Sequence, residues 1–276
     1  MTQELDSSGN IKSPQILMIN LFRRLYDRST RITREKWIGT LQSAAVVRSL
    51  YLTWTLKKFI PSNAQYNLLD AGSGEGAPLT IVQARRFRKC SFVALDLYQK
   101  HPAGGNAAIP ANIVFVEDDL FRYEAREQFD IIFCLDVLEH IENYRRVLEL
   151  FNKWTKSGGK LILHVPSDHQ FRYFIQNNIL SHSNERQRIG DYHVREGFNL
   201  KEIISDIINA RFEIINTRYT FSPFTWFFKE LFTMGEKKHL PGIGIMILPF
   251  IWFSAKLESL FNLSRGNGIL IVARKL

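Results

Sequence analysis

Glycines alternate along one short segment of the chain, LLDAGSGEGAP at residues 68–78, where Gly72, Gly74 and Gly76 follow an apolar run. The run predicts a buried strand, and Pro78 suits the first turn of a helix. A glycine turn between a strand and a helix lets backbone N–H groups approach a ligand with no side chain in the way. The segment therefore predicts a ligand-binding turn. Its spacing also fits the G-x-G-x-x-A pattern of dinucleotide sites.

Acidic residues stand at the ends of the neighbouring apolar runs. Asp70 precedes the glycines directly, Asp96 ends SFVALD, and Asp118 and Asp119 follow NIVFVE. An ionised carboxylate has two acceptor oxygens and can bind both hydroxyl groups of a ribose. Asp96 follows the glycines at the distance expected of a ribose-binding acid. These acids and the glycine turn together predict a site for a nucleoside-containing ligand.

The pattern of apolar residues predicts an α/β fold. From Asn67 onward, short apolar runs alternate with amphipathic ones. Strands that are apolar on both faces and separated by helices imply a parallel sheet covered on both sides. We predict one long helix from Val137 to Trp154, stopped by Gly158 and Gly159. The expected strands are NLLDA, SFVALDL, NIVFVED, FDIIFCL, KLILHVP, RFEIINTRY and GILIVARKL, with the helix LKEIISDII before the last two.

Several separate motifs resemble those of the Rossmann-like, class I S-adenosylmethionine-dependent methyltransferases, in their type-11 branch. They are DAGSGEG, FVALD, FVEDD, FDIIFCLDVLEHI and GGKLILHVPS, in the family's order, and YHVREGFNLKEI is similar to a later segment of many members. The resemblance covers residues 60–221 and the final strand. It implies a doubly wound, mostly parallel seven-stranded sheet with an antiparallel last strand.

The resemblance also implies S-adenosylmethionine as the cofactor and gives roles to individual residues. Backbone amides of Gly72 to Gly74 would approach the amino-acid part of the donor. Asp96 would bind the ribose. Asp119 would accept from the adenine amino group and the Leu120 amide would donate to the ring, with Asp118 as a competitor for the adenine. The expected cofactor residues are Asp70, Ala71, Gly72, Ser73, Gly74, Asp96, Leu97, Asp118, Asp119, Leu120, Cys134 and Leu135.

The acceptor is predicted to be methylated on oxygen. Methyltransferases that modify exocyclic amines of bases resemble one another in an Asn/Asp-Pro-Pro-aromatic motif after the fourth strand, where this chain has LDVL. Transfer to a hydroxyl needs a base or close positioning of the reactants. Histidine suits that role because its unperturbed pKa is about 6.5. We expect His169 and His193 to be the catalytic candidates and interpret His140 as structural.

A metal-dependent variant is the alternative at this place. Asp136, Glu139 and His140 resemble the E-x-x-E-H ligands of ubiquinone-pathway and small-RNA methyltransferases. Asp replaces the first Glu, however, and DVLEH also occurs in metal-free relatives. We therefore predict no metal.

Two segments extend the expected methyltransferase domain, which spans residues 61–221 and 267–276. Residues 1–60 predict a helical extension, with helical patterning from Ile16 to Tyr26 and in a run ending at Phe59. Residues 222–266 are an unusually apolar insertion between the last two strands. Its uncharged run from Leu240 to Ala255 is shorter than the roughly 20 residues that span a bilayer. The insertion predicts an interfacial membrane segment or a lid over a lipophilic acceptor, with a dimer interface or extra core layer as alternatives.

The composition and charge of the chain narrow the kinds of protein it can be. The chain has 276 residues, 45% hydrophobic, with a net charge of +9 concentrated in its two ends. We expect a neutral catalytic body with basic additions, no nucleic-acid partner and a possible membrane contact. The polar N-terminus resembles no secretory signal, so we expect a cytoplasmic protein. Two interpretations of other kinds remain, a nicotinamide-dependent dehydrogenase and an inactive, membrane-associated binding protein that keeps the methyltransferase fold.

Overall fold

The structure is a computed structural model that describes residues 43–99, 109–174, 193–237, 243–261 and 263–276. The helix expected near Ile16 lies outside these residues. Within them, the α/β organisation predicted from the sequence is confirmed.

Seven strands form one sheet in the order β3-β2-β1-β4-β5-β7-β6. All neighbours pair in parallel except β7, which runs antiparallel to both β5 and β6. The strand order reverses between β1 and β4, and a ligand is expected beyond the carboxyl ends of the strands at such a point. The strands are β1 Asn67–Ala71, β2 Ser91–Asp96, β3 Ile113–Glu117, β4 Phe129–Leu135, β5 Thr155–Pro166, β6 Phe212–Thr220 and β7 Gly268–Lys275.

Helices cover both faces of this sheet. On one face, α3 and α4 contribute Phe151, Trp154 and Ile203 to a core with Leu69 and Ile132 of the strands. On the other face, α1 and the two insertion helices pack on the opposite sides of the same strands. The helices are α1 Ser43–Phe59, α2 Pro78–Arg86, α3 Tyr144–Trp154, α4 Leu200–Asn209, α5 Pro223–Lys237 and α6 Ile243–Glu258, with a short 3-10 turn at Leu138–His140.

The single long helix predicted from Val137 to Trp154 is wrong. A 3-10 turn follows β4, Ile141 is extended, and the helix begins only after Asn143, whose side chain accepts a hydrogen bond from the Arg146 amide. The helix also ends before the glycine pair, because Thr155 already belongs to β5. The break leaves residues 136–141 as a turn at the carboxyl edge of the sheet, where their side chains can reach a ligand.

The apolar insertion consists of two helices that are tied to the body of the protein. Ile251 and Ala255 of α6 and Phe232 of α5 are buried in the same core as Tyr51 of α1. The buried carboxylate of Glu258 accepts from the Tyr51 hydroxyl and, at 2.6 Å, from the Ser222 amide. Among the described residues, no helix combines the length and the apolar content needed to cross a membrane.

Candidate active site

The glycine turn folds tightly against the end of β2. The amides of Gly72 and Ser73 both donate to the Leu95 carbonyl, at 2.8 and 3.0 Å. Gly72 has φ +82°, and a Cβ there would lie 2.4 Å from a methyl carbon of Val137. Gly74 also has a positive φ, +72°, but faces open space. Glycine is therefore required at residue 72 by both conformation and contact, and favoured at residue 74 by conformation.

A cavity of about 500 Å³ opens beside this turn, and we call it the glycine-turn cavity. Asp96 lines it and is held in place by two backbone donors, the Gly74 amide at 2.8 Å and the Tyr98 amide at 3.0 Å. These bonds leave lone pairs on both carboxylate oxygens for a diol. The predicted residues that line this cavity are Gly72, Gly74, Asp96, Leu97, Asp118, Asp119 and Leu120.

The two acids after β3 both face the glycine-turn cavity. The Asp118 carboxylate accepts from the Asp119 amide, and the Asp119 carboxylate accepts from the Phe121 amide, both at 2.8 Å. The Asp118 amide in turn donates to the Asp96 carbonyl at 3.1 Å. The end of β3 is thus fixed to the end of β2. Asp118 and Asp119 both remain candidates for contacting the adenine.

Other predicted cofactor residues lie behind the cavity wall. Asp70 is buried and accepts from the Thr80 hydroxyl, and its burial raises its pKa to about 7. Its carboxylate therefore links β1 to α2, the helix that follows the glycine turn. Ser73 is buried and accepts from Gln99, whose side-chain oxygen also accepts from the Gly76 amide at 3.0 Å. The predicted residues outside the cavity lining are Asp70, Ala71, Ser73, Cys134 and Leu135.

A second cavity of about 360 Å³ adjoins the first, and we call it the histidine cavity. Asp136 and His140 line both cavities. The Asp136 backbone is left-handed, with φ +52°, which is uncommon for a residue with a side chain. The turn after β4 therefore forms the partition between the two cavities.

Asp136 is held by a network that links three parts of the chain. It forms an ion pair with Arg48 of α1 and contacts His164 Nδ1 at 2.6 Å. His164 Nε2 lies 2.9 Å from the Thr220 hydroxyl at the end of β6. Burial opposes ionisation of Asp136, but Arg48 and His164 outweigh it and lower its pKa to about 2. Asp136 is thus an ionised, fully paired carboxylate.

Glu139, His140 and His193 come together on the wall of the histidine cavity. Glu139 is buried, and burial followed by the Asp136 charge raises its pKa to about 8. The two imidazole rings meet edge to face, 4.7 Å apart. Partial burial, and then His140, lower the pKa of His193, which stands at the cavity rim. His193 is therefore a neutral imidazole at physiological pH and can accept a proton.

The same three side chains each offer a possible metal-ligand atom, and these atoms lie within 4.8 Å of one another. The expected absence of a metal remains a prediction at this cluster.

The structure separates the two histidines proposed as catalytic candidates. His193 lines the histidine cavity, whereas His169 is exposed and lies outside the linings of both cavities. The amides of Val194 and Arg195 donate to the Glu139 carbonyl, and these bonds bring the His193 segment to the turn after β4. We retain His193 as the candidate base and set His169 aside.

Helix α5 forms one wall of the histidine cavity. Its buried Glu230 accepts from the Trp226 indole at 2.6 Å, the Phe174 amide at 2.6 Å and the Tyr173 amide at 3.1 Å. Three residues of this site, Arg48, His164 and Glu230, were not predicted from the sequence. Arg48 and Glu230 come from segments with no recognisable motif, and His164 is one residue of a buried strand.

Comparison with known proteins identifies the class. Residues 44–204, more than half of the chain, match a family model described as a methyltransferase domain. The chain therefore belongs to the methyltransferase-domain family, and its recognition as a Rossmann-like, S-adenosylmethionine-dependent methyltransferase is confirmed. This family decides against the nicotinamide-dependent alternative.

Individual relatives agree on the class and differ in their acceptors. The chain is 33% identical over 101 residues to an (S)-coclaurine N-methyltransferase of Papaver somniferum, covering 35% of this chain and 28% of the relative. It is 23% identical over 146 residues to a ubiquinone biosynthesis O-methyltransferase of Rickettsia conorii, covering 47% of this chain and 50% of the relative. The matches thus span half or less of these two relatives.

Solved structures share the fold at low identity. A Haemonchus contortus phosphoethanolamine N-methyltransferase 2, in complex with S-adenosylhomocysteine and phosphomonomethylethanolamine, has a TM-score of 0.57 at 18% identity and covers 92% of this chain and 60% of its own. The [4+2]-cyclase SpnF has a TM-score of 0.54 at 16% identity and covers 84% of this chain and 81% of its own.

Proposed function

We propose that the protein transfers a methyl group from S-adenosylmethionine to a hydroxyl oxygen of a lipophilic or lipid-linked small molecule. The observation that carries this proposal is the arrangement of the two cavities. The glycine-turn cavity has the carboxylates and the open glycine that suit the donor, and the histidine cavity adjoins it through Asp136 and His140. An acceptor in the second cavity would lie next to a donor in the first.

The proposed chemistry requires one proton acceptor on the protein. When bound, S-adenosylmethionine supplies an electrophilic methyl group on a sulfonium, which passes to the acceptor oxygen and leaves a neutral thioether. His193 takes the hydroxyl proton, because it lines the histidine cavity and its lowered pKa keeps it neutral. Asp136 and His164 hold the turn after β4 in position without taking the proton themselves.

The charges of the histidine cavity favour an oxygen acceptor over a cationic amine. Asp136 is paired with the Arg48 guanidinium and contacts His164 Nδ1, and Glu230 is surrounded by N–H donors. Glu139 keeps its proton at neutral pH, since its pKa is about 8. These described carboxylates therefore offer little uncompensated negative charge. A buried ammonium group would need such a charge beside it.

The lipophilic character of the acceptor is inferred from the insertion. Phe221 and Trp226 line the histidine cavity. On the same helix as Trp226, Phe227 contacts the rings of Tyr173 and Phe174, with centroids 5.6 and 5.5 Å apart. Phe221 and Trp226 can therefore contact an apolar part of the acceptor, beside the polar side chains that make up the rest of the lining. A lipophilic acceptor partitions into bilayers, so we also infer that the protein meets its acceptor at a membrane.

Transfer of an isotope label tests the proposal. Purified protein is incubated with cell lipid extract and S-adenosylmethionine carrying a deuterated methyl group, and labelled products are identified by mass spectrometry. We expect a labelled methyl ether in the apolar fraction. A labelled amine would replace oxygen by nitrogen as the acceptor atom. Donor binding without any labelled product would favour the inactive binding protein.

A further inference from the structure

One side of α6 exposes a continuous stripe of large apolar residues. Residues three or four apart lie on one side of a helix, and this side continues into the turn that follows α6. Met246 and Phe253 are 72% and 62% exposed, and the others are exposed as well. Phe224, from the start of α5, adjoins the stripe across a cleft of about 300 Å³. We call this surface the α6 face; it consists of Phe224, Met246, Phe250, Phe253, Leu257, Leu260 and Phe261.

The opposite side of α6 is packed against the body of the protein. Ile251 and Ala255 are fully buried, and Glu258 bonds to the Ser222 amide and the Tyr51 hydroxyl. The α6 face is therefore not the core-facing side of a displaced helix. It remains uncovered after the helix has packed.

Charge around the α6 face has one sign. Two acids of the insertion, Glu230 and Glu258, are turned inward and buried. Lys256 flanks the face, and Arg265 lines the cleft between Phe224 and Phe261. An apolar surface with basic residues at its edge complements an anionic bilayer, where apolar side chains enter the acyl boundary and cations meet phosphate.

A second copy of the chain fits this surface less well. A two-fold contact between α6 faces would bring Lys256 and Arg265 of both copies together, and like charges that meet in an interface oppose association. The charge pattern thus favours lipid over self-association.

We propose that the α6 face is the membrane-docking surface of the protein and that α6 lies in the plane of an anionic bilayer. This inference identifies a membrane as the partner that brings the acceptor to the site. Its purpose rests on the proposed function. The α6 face lies within the insertion that the sequence predicted as an interfacial segment. Trp226, Phe227 and Phe228 of α5 are half-buried, whereas Phe224 and Met246 of the α6 face are each 72% exposed. Because α5 lines the histidine cavity and packs on α6, docking would hold that cavity close to the lipid.

Vesicle co-sedimentation tests the proposal without donor or acceptor, so it can fail independently of the methyl transfer. The probes are phosphatidylcholine vesicles with and without phosphatidylserine, at low and high salt. We expect the full chain to bind the anionic vesicles, with binding weakened but not abolished by salt, because the apolar contribution is not screened. Absence of binding to anionic vesicles would overturn the proposal.

Matched variants assign the surface. Phe253→Ser with Phe261→Ser should lower vesicle affinity about tenfold or more. Lys256→Gln with Arg265→Gln should lower it about tenfold on anionic vesicles only. Val114→Ser with Ile208→Ser removes exposed apolar residues elsewhere and should leave binding unchanged. Unchanged binding of the phenylalanine variant overturns the proposal. So does a wild-type dimer in sedimentation velocity that this variant dissociates, since a second copy would then occupy the face.

Discussion

The two cavities of the site are built in different ways. The glycine-turn cavity is assembled at the ends of four adjacent parallel strands, β3, β2, β1 and β4, and its residues lie at those ends or in the turns that follow them. The histidine cavity is assembled from α1, the turn after β4, β5, the segment at His193 and α5. The glycine-turn cavity is therefore formed by the strand ends of the sheet and the turns that follow them. The other depends on how added segments pack around it.

This difference explains why one donor can be combined with many acceptors in such a fold. The glycine turn is held to β2 mainly by backbone donors, the amides of Gly72 and Ser73 to the Leu95 carbonyl and the Gly74 amide to the Asp96 carboxylate. The histidine cavity instead depends on side-chain contacts such as Arg48 to Asp136 and Trp226 to Glu230. Changes in these segments can alter the acceptor while the donor cavity is preserved.

The largest expected effect is a loss of turnover caused by a substitution in the histidine cavity alone. Replacing His193 by Gln should lower turnover about 10²–10⁴-fold, because the acceptor proton loses its base, while donor affinity is unchanged. His169→Gln is the matched control, since that exposed histidine lines neither cavity. Steady-state rates and donor calorimetry measure both effects. Normal turnover of His193→Gln would show that positioning alone drives the reaction.

A second prediction compares two glycines of the same turn. Gly72→Ala should lower the free energy of unfolding by about 1–3 kcal/mol, because the new methyl group overlaps Val137 in addition to straining the backbone. Gly74→Ala keeps a similar φ but meets no neighbouring atom, so it should cost only about 1 kcal/mol from its left-handed conformation. Denaturant unfolding measures both variants. Equal losses would mean that Val137 moves aside freely.

The sequence predicted the donor side better than the acceptor side, for a physical reason. Alternating apolar runs determine strands and their order, and the residues at strand ends follow automatically. The position of Arg48 against Asp136 depends instead on how α1 packs, which no local pattern encodes. The predicted long helix through His140 was wrong because apolar spacing alone does not show that Asn143 caps a new helix. His164 was overlooked for a similar reason, since within a strand a buried histidine resembles any other core residue.

A third prediction concerns the partition between the cavities. The pKa of Glu139 is raised to about 8 in the folded protein, mainly by burial and then by Asp136. Its folded state binds the proton more tightly than its unfolded state, so this stabilisation is complete at low pH and is lost as pH rises through about 8. Relative to Glu139→Gln, the wild-type melting temperature should therefore fall between about pH 5 and pH 9.

The exposed Glu196 provides a control for this pH effect, because Glu196→Gln removes a carboxylate without removing a buried proton. A melting-temperature difference between wild type and Glu139→Gln that does not change with pH would contradict the assigned state of Glu139.

Calorimetric titration of the donor product tests the central claim most directly. We expect S-adenosylhomocysteine to bind the wild-type protein and NADH not to bind. We also expect Asp96→Ala to weaken S-adenosylhomocysteine binding by about 1.5–3 kcal/mol, the usual effect of losing hydrogen bonds to a charged group. Tight NADH binding, or unchanged S-adenosylhomocysteine affinity in a folded Asp96→Ala protein, would contradict the central claim.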